Sequence, residues 1–457
     1  MITVDHVLRW TGGVLLQGDS SRTIQDVHFD SRELKGQALF VALTGGKRDG
    51  HQFIESAILN GAVAILVSQD DPQLRQKYPH ITFIQTENTE TAFQALAKGY
   101  RKELNLPVIA VTGSNGKTTT KDMIAHLLSG QFNVYKTYKN FNNHLGVPLS
   151  LLSIRPQHNF AVLEMGMNRA GEIGFLAQLA QPRVSVITNV GEAHIQFFGT
   201  KEKIAQAKGE ILDQTDPAGF VLLNGDDPLI LSQKDRYQGK VYTYSIQQKA
   251  DIYATDIRCD ESGSYFNVHL NETSISCFMP LLGEHNISNV LPAIFIAYQY
   301  GVEPDVIKAQ LKTLSISDMR FQTLEGPNGS ILINDAYNAS PTSVKAAAQT
   351  FANIYPQRQK VLVLGDIFEL GELADRYHLE LGHYLSDKPF TIITMGEKAA
   401  LISKVAGGIH CQTHQEAALT LLPYLTAQHA ILFKGSRGMQ MEKVIQHIME
   451  LTQTEAV

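Results

Sequence analysis

Cysteine is scarce. Cys259, Cys277 and Cys411 are the only three in 457 residues, with no paired spacing. That excludes a disulfide framework and a cysteine-based zinc site, and it fits a reducing cytoplasm. Long apolar runs are missing as well: no stretch of about 18 apolar residues occurs, so no membrane insertion is expected. The opening residues, MITVDHVLRWTGG, place Asp5, His6 and Arg9 where a secretory signal needs an apolar core. An excess of positive charge is also lacking. Lys and Arg number 39 against 45 Asp and Glu, a net charge of -6, which gives no long-range pull on nucleic acid or an anionic membrane surface. Small-molecule partners are expected instead, for a monomeric cytoplasmic protein.

What is present describes a globular chain, 44% hydrophobic and 18% charged. Its length exceeds one ordinary core of roughly 100 to 200 residues. The pattern predicts an α/β protein of three domains. Residues 1–104 mix short strands and helices, with the apolar run Ala62 to Val67 and a helix from about Thr91 to Leu104. Residues 105–316 form a P-loop-type parallel sheet with strands at 108–112, 160–164, 184–190 and 219–223. Successive antiparallel strands are added over 241–282, before a helix that begins near Asn286. Residues 317–457 start a second alternation, with strands near 331, 361, 391 and 431, read as a Rossmann-like C-terminal domain.

The strand 108–112 runs into Gly113-Ser-Asn-Gly-Lys-Thr-Thr-Thr120, and a helix starts at Lys117, its face of Met123, Ile124, Leu127 and Leu128 ending at Gly130. Backbone N–H groups of Gly113, Ser114, Asn115 and Gly116 and the positive helix end would converge on an anion. Lys117 would neutralise the β and γ phosphates of ATP, with Thr118 and Thr119 beside it and the Thr118 hydroxyl on magnesium. Only two residues separate Gly113 from Gly116, shorter than the common phosphate loop. The bland alternative is a Gly-rich turn that merely joins strand to helix.

Other candidates cluster at strand ends. Glu164 closes an apolar strand on the edge where open α/β sheets bind ligands, and Gly191-Glu-Ala-His194 leaves the next strand there; a carboxylate and a neutral imidazole suit a divalent ion carrying phosphate oxygens. Taken singly, each is more often a solvated Glu or an ordinary loop His. Lys208 falls inside the apolar arc Ile204, Ala207, Ile211 and Leu212 of a helix over 200–213, so it faces inward. Either its ammonium snorkels to water or its amine is buried with a depressed pKa and chemically altered. Asn286 and Asn289, one turn apart, can read a purine or ribose, although Asn286 is also a capping type. Arg320 lies in an interdomain segment from which a guanidinium reaches phosphate, or simply meets solvent. The strand near 331 delivers Asp335-Ala-Tyr-Asn-Ala-Ser-Pro341, putting Asp335 or Asn338 toward the cleft. Lys434-Gly-Ser-Arg-Gly438 carries two cations suited to a carboxylate or phosphate.

Over essentially its whole length the chain resembles the Mur ligases, which build the peptide of the peptidoglycan precursor. The resemblance implies that residues 113–120 are the ATP loop, that Glu164 and His194 are magnesium positions, and that Asn286 and Asn289 contact the nucleotide. Arg320 and Asp335 match phosphate and ribose contacts. Lys208, in Ala-Lys-Gly-Glu, matches a lysine carbamylated by carbon dioxide whose new carboxylate helps hold Mg2+. That implies catalytic parts for Lys117, His194 and Lys208. Within the family, Asp30-Ser31-Arg32, Leu39 to Leu43 and Asp49-Gly-His51 are similar to the UDP-binding domain of the branch that adds D-alanyl-D-alanine. Thr137 to Pro148, with Asn142 and Asn143, resembles its substrate loop, and Tyr337-Asn338-Ala-Ser-Pro341 a third-domain signature. Lys139 departs from a usual Gly, and Asn334 and Ser340 from common Asp and Asn. The implied partners are a UDP-N-acetylmuramoyl tripeptide and D-alanyl-D-alanine, joined through an acyl phosphate. A folylpolyglutamate-synthase-like ligase shares the loop without the first-domain and Tyr-Asn-Ala-Ser-Pro features. An ATP-gated switch would hydrolyse nucleotide and form no amide.

Overall fold

The computed structural model describes residues 2–45, 48–270, 273–315 and 317–454, apart from the side chains of 453 and 454. Residue 316, where the sequence reading ends the central domain, lies outside the described residues. Three large sheets follow one another along the chain.

The first sheet has five strands in the order 14–17, 82–85, 62–67, 38–41, 26–28, parallel except at the 14–17 edge. The apolar run Ala62–Val67 is its middle strand, as expected of a segment covered on both faces. The helix Thr89–Glu103 follows, started two residues before the sequence reading by Asn88, whose side chain accepts from the Thr91 N–H. This helix fastens the first sheet to the central one: Tyr100 Oη donates to the Ile154 carbonyl at 2.7 Å and Arg101 Nε to Ala180 at 2.6 Å. Its Gly99 lies flat against Trp10, and any Cβ there would overlap the indole.

Nine strands form the central sheet, in the order 273–279, 263–270, 252–260, 240–245, 220–224, 184–187, 108–112, 160–164, 134–136. The expected run of antiparallel strands over 241–282 is corrected here. Strand Lys240–Ser245 is parallel to both neighbours, and antiparallel pairing begins only between Ile252–Asp260 and Gly263–Leu270. The connection over 246–251 is a short sideways step, braced by Asp251 accepting from the Thr243 N–H at 2.7 Å; the chain resumes in the same direction, and alternation of side chains carries no sign of direction. One core runs on the side of this sheet facing the first and third sheets, and a second lies under helices Lys117–Ser129 and Glu284–Gln299.

The loop after Val134–Lys136 bends at Lys139, which sits at φ 48°. That left-handed position is the physical reason glycine is the residue expected there. Lys139→Gly is expected to raise stability by about 0.5 kcal/mol, the relief of strain exceeding the entropy glycine adds to the unfolded chain. A lower denaturation midpoint for the variant would contradict it.

The third sheet is ordered 322–325, 331–334, 429–434, 359–365, 390–395, 409–411, parallel except at the 322–325 edge. The ends of its strands 331–334 and 429–434 meet the ends of central strands 108–112, 160–164 and 184–187.

Candidate active site

A cavity of about 570 Å³ opens between the central and third sheets. It is lined from the phosphate-type loop by Ser114, Asn115, Gly116, Lys117, Thr118 and Thr119, and from the central sheet by Asn142, Asn143, Glu164 and His194. Asn286, Asn289, Arg320, Asp335, Tyr337 and Asn338 also line it. Gly113 stands just behind the loop. Lys208 does not line the cavity, and Ser31 and Arg32 lie away from it in the first sheet. There Arg32 is exposed and paired through two hydrogen bonds with Asp30, while buried Ser31 gives its carbonyl to Asn60.

The loop is held by residues that strand prediction hid. The expected strand 184–190 ends at Ile187, and the next two residues, their backbones still bonded to Thr112 and Ser114, turn their side chains onto Asn115. Thr188 Oγ1 donates to the Asn115 carbonyl at 2.6 Å, and the Asn189 side chain accepts from Asn115 N–H at 2.9 Å and donates to its carbonyl at 3.0 Å. Lys117 Nζ turns back onto the Gly113 and Ser114 carbonyls at 2.9 and 3.2 Å. Burial, with the nearby Arg320 charge, pushes its pKa below the usual lysine range against the pull of Glu164. Gly116 takes φ 80°, and a Cβ on it would overlap the Asn289 amide. Gly116→Ala is therefore expected to weaken nucleotide binding at least about tenfold, by displacing either the loop or Asn289. Titration calorimetry with an ATP analogue checks this, and unchanged affinity would refute it.

Glu164 is buried at the end of its strand. Its Oε2 accepts from Thr118 Oγ1 and its Oε1 from Asn142 Nδ2, each at 2.7 Å. Arg320 Nη2 donates to the same Thr118 hydroxyl at 2.9 Å, and its guanidinium lies 4.2 Å from the centroid of the Tyr337 ring. One polar chain thus joins the 137–148 loop, the phosphate-type loop and the third sheet. Among the described residues no group of three His, Cys, Asp or Glu side chains is set to hold a metal. Mg2+ takes one or two carboxylates together with waters and phosphate oxygens, and the carboxylate of Glu164 beside the Thr118 hydroxyl fits that donor pattern.

His194, with φ 66°, begins the short helix Ile195–Phe198. Its Nδ1 lies 2.7 Å from Oε2 of Glu369, in the loop after strand 359–365 of the third sheet, a residue that the sequence pattern did not single out. The His194 contact lowers the Glu369 pKa. Lys208 is buried inside the helix Lys201–Asp213 among Ile204, Ala207, Ile211 and Leu212. Burial first, and then the neighbouring Lys117 charge, hold its pKa well below the ordinary lysine value, so the snorkelling alternative does not apply. The environment favours a neutral amine.

Asn286 spends an amide hydrogen on its own helix start, donating to the Leu282 carbonyl at 2.8 Å, so a structural part belongs to it as well. Asp335 accepts from Lys434 Nζ at 2.8 Å and from the Phe321 N–H at 3.2 Å. Lys434 also donates to the Asn338 carbonyl, and Arg437 pairs with Glu442. The two cations of 434–438 are thus both paired within the protein, and Lys434 also lines the cavity. Further residues unread in the sequence are His285, half-buried against the cavity with its pKa lowered by desolvation, and Glu192. Glu192 accepts from the Thr342 hydroxyl at 2.6 Å and so ties the third sheet's helix Pro341–Asn353 to the central sheet. Ser340, the departure from Asn, starts that helix and donates to Asn115 Oδ1 at 3.1 Å; Asn334 accepts from the Ala336 N–H at 3.2 Å.

Comparison with known proteins gives three family matches: "Mur ligase family, catalytic domain" over residues 23–101, "Mur ligase middle domain" over 111–297, and "Mur ligase, glutamate ligase domain" over 319–437. The chain is 38% identical to the UDP-N-acetylmuramoyl-tripeptide--D-alanyl-D-alanine ligase of Bacillus subtilis (strain 168), over 98% of each chain. Among solved structures it is similar to MurF from Acinetobacter baumannii, with a TM-score of 0.90, 31% identity and 98% of each chain covered. It is also similar to the MurF ligase from Thermotoga maritima in complex with ADP, with a TM-score of 0.83, 26% identity, and 94% of this chain and 98% of that one covered.

Proposed function

The chain belongs to the Mur ligase family, and from that premise we propose that it joins D-alanyl-D-alanine to a UDP-N-acetylmuramoyl tripeptide, converting ATP to ADP and phosphate, in peptidoglycan precursor synthesis. The observation that carries this reading is the single cavity in which the phosphate-type loop, the Glu164–Thr118 pair, Arg320 and the Asp335 to Asn338 loop meet.

In the proposed reaction a terminal carboxylate oxygen of the tripeptide attacks the γ phosphorus and ADP leaves, giving an acyl phosphate. The free amine of D-alanyl-D-alanine then attacks the acyl carbon; the C–O bond to phosphate breaks, the amide forms, and the amine gives up a proton. Lys117 and Arg320 hold negative charge that develops on the γ phosphate, and the 113–119 backbone orients it. Thr118, Glu164, His194 and a carbamate on Lys208 are the protein's groups toward Mg2+, which when bound supplies charge stabilisation at the phosphates. Asn286, Asn289 and Asp335 take the nucleoside. Asn142 and Asn143 face the tripeptide, Tyr337 and Asn338 the incoming dipeptide, and Ser31 and Arg32 the UDP group in the first domain. The division into UDP-binding 1–104, ATP-binding 105–316 and dipeptide-binding 317–457 is part of the same proposal.

The neutral-amine environment of Lys208 supports the carbamate: an unprotonated amine adds carbon dioxide, losing one proton, to give a carboxylate. A phosphate-release assay tests the whole reading. ATP turnover is expected only when UDP-muramoyl tripeptide and D-alanyl-D-alanine are both present, with the amide product seen by mass spectrometry. Turnover indifferent to both substrates would remove it in favour of an ATP-gated switch.

A further inference from the structure

The segment over 317–321, which leads into the third sheet, makes two side-chain hydrogen bonds to the helix Lys117–Ser129. Arg320 Nη2 donates to Thr118 Oγ1 at 2.9 Å, and Ser317 Oγ donates to Asp122 Oδ2 at 2.7 Å. Thr118 and Asp122 are four residues apart, neighbours on one helix face, so the four-residue stretch of linker 317–320 matches about one turn of helix. The first contact is at the phosphate-type loop. The second is outside the cavity and is engaged by no step of the proposed reaction.

Asp122 is a fixed anchor. It is buried, and its Oδ1 faces Lys136 Nζ at 2.7 Å and Lys121 Nζ at 3.3 Å. Lys121 in turn donates to the Thr137 carbonyl, the first residue of the 137–148 loop. The linker also bonds to the third sheet: Tyr337 N–H donates to the Met319 carbonyl and Phe321 N–H to Asp335, each at 3.2 Å. Met319 and Phe321, on either side of Arg320, take φ values of 59° and 54°. Non-glycine residues hold such a conformation only where surrounding contacts impose it. With both flanks left-handed, the direction of the Arg320 side chain depends on how the linker is seated.

We propose that Ser317 and Asp122 are positioning residues whose hydrogen bond seats the linker on the helix and thereby aims Arg320 at the phosphate site. This rests on the nucleotide site assigned above and adds a determinant of its affinity that lies outside the cavity. Ser317 is exposed, so replacing it leaves the core packing intact, and Ser317→Thr retains the hydroxyl.

The test is the affinity of a non-hydrolysable ATP analogue with Mg2+, measured by titration calorimetry without either amide substrate. Ser317→Ala is expected to weaken binding about tenfold, as for loss of a hydrogen bond to a carboxylate. In an Arg320→Ala background the same change is expected to cost less than about twofold, because its route of action is gone, and Ser317→Thr to stay within about twofold of the parent. Parental affinity in Ser317→Ala, or a tenfold loss that persists without Arg320, would overturn the proposal. Failure of the ligase reading would appear separately, as absence of substrate-dependent phosphate release from the unmodified protein.

Discussion

Lys208→Ala lowers amide formation by about 10³-fold, the scale on which loss of a preorganised charge at a transferring phosphoryl group acts. The expectation follows from an amine that is buried, has its ammonium form disfavoured by burial and by Lys117, and contributes nothing to the cavity wall as a plain lysine. A carbamate lengthens that side chain by a carboxylate directed past the position of the nitrogen. Short carboxylic acids added to Lys208→Ala then restore part of the rate by filling the space. The measurement is turnover across an acetate or formate series, alongside binding of 13C-labelled carbon dioxide to the parent protein seen by NMR. Full activity in the unrescued variant would sink the carbamate.

Glu164→Gln is the second large effect, about 10²-fold in kcat with a raised half-saturating Mg2+ concentration. The shape is conserved and the charge is lost. Glu164 now accepts from two donors, Thr118 Oγ1 and Asn142 Nδ2. A glutamine has one acceptor oxygen and must turn its own N–H groups toward one of them. Thr118 is the partner able to rotate and accept, although Arg320 already donates to it. The polar chain between the 137–148 loop and the third sheet would be reorganised at its middle. A magnesium titration unchanged from the parent would mean that Glu164 serves only to orient Thr118 and Asn142.

The residues legible in the sequence are those whose position follows from local pattern. A buried strand running into a Gly loop and a helix announces the 113–119 cradle, the end of an apolar strand announces Glu164, and 3.6-residue spacing turns Lys208 inward. Residues whose part depends on chain segments far apart gave no such sign. Asn189 braces Asn115 across 74 positions, and Glu192 meets Thr342 across 150. Glu369 reaches His194 from a loop of the third sheet. Periodicity was also blind to strand direction, which is why Lys240–Ser245 turned out parallel. The departure at Ser340 acquires its reason only from the helix start it forms, whereas the left-handed backbone at Lys139 explains the usual glycine and not the lysine.

Trp10, flat against Gly99, is the only indole in the chain. Intrinsic fluorescence excited at the red edge therefore reports one place, the contact of the helix Val4–Thr11 with the helix that bolts the first sheet to the central one. An unfolding curve followed by that emission measures the separation of those two helices. Motion of the third sheet over the cavity leaves it dark, and moving the lone indole to exposed Phe368, as Phe368→Trp in a Trp10→Phe background, would make that motion the one reported.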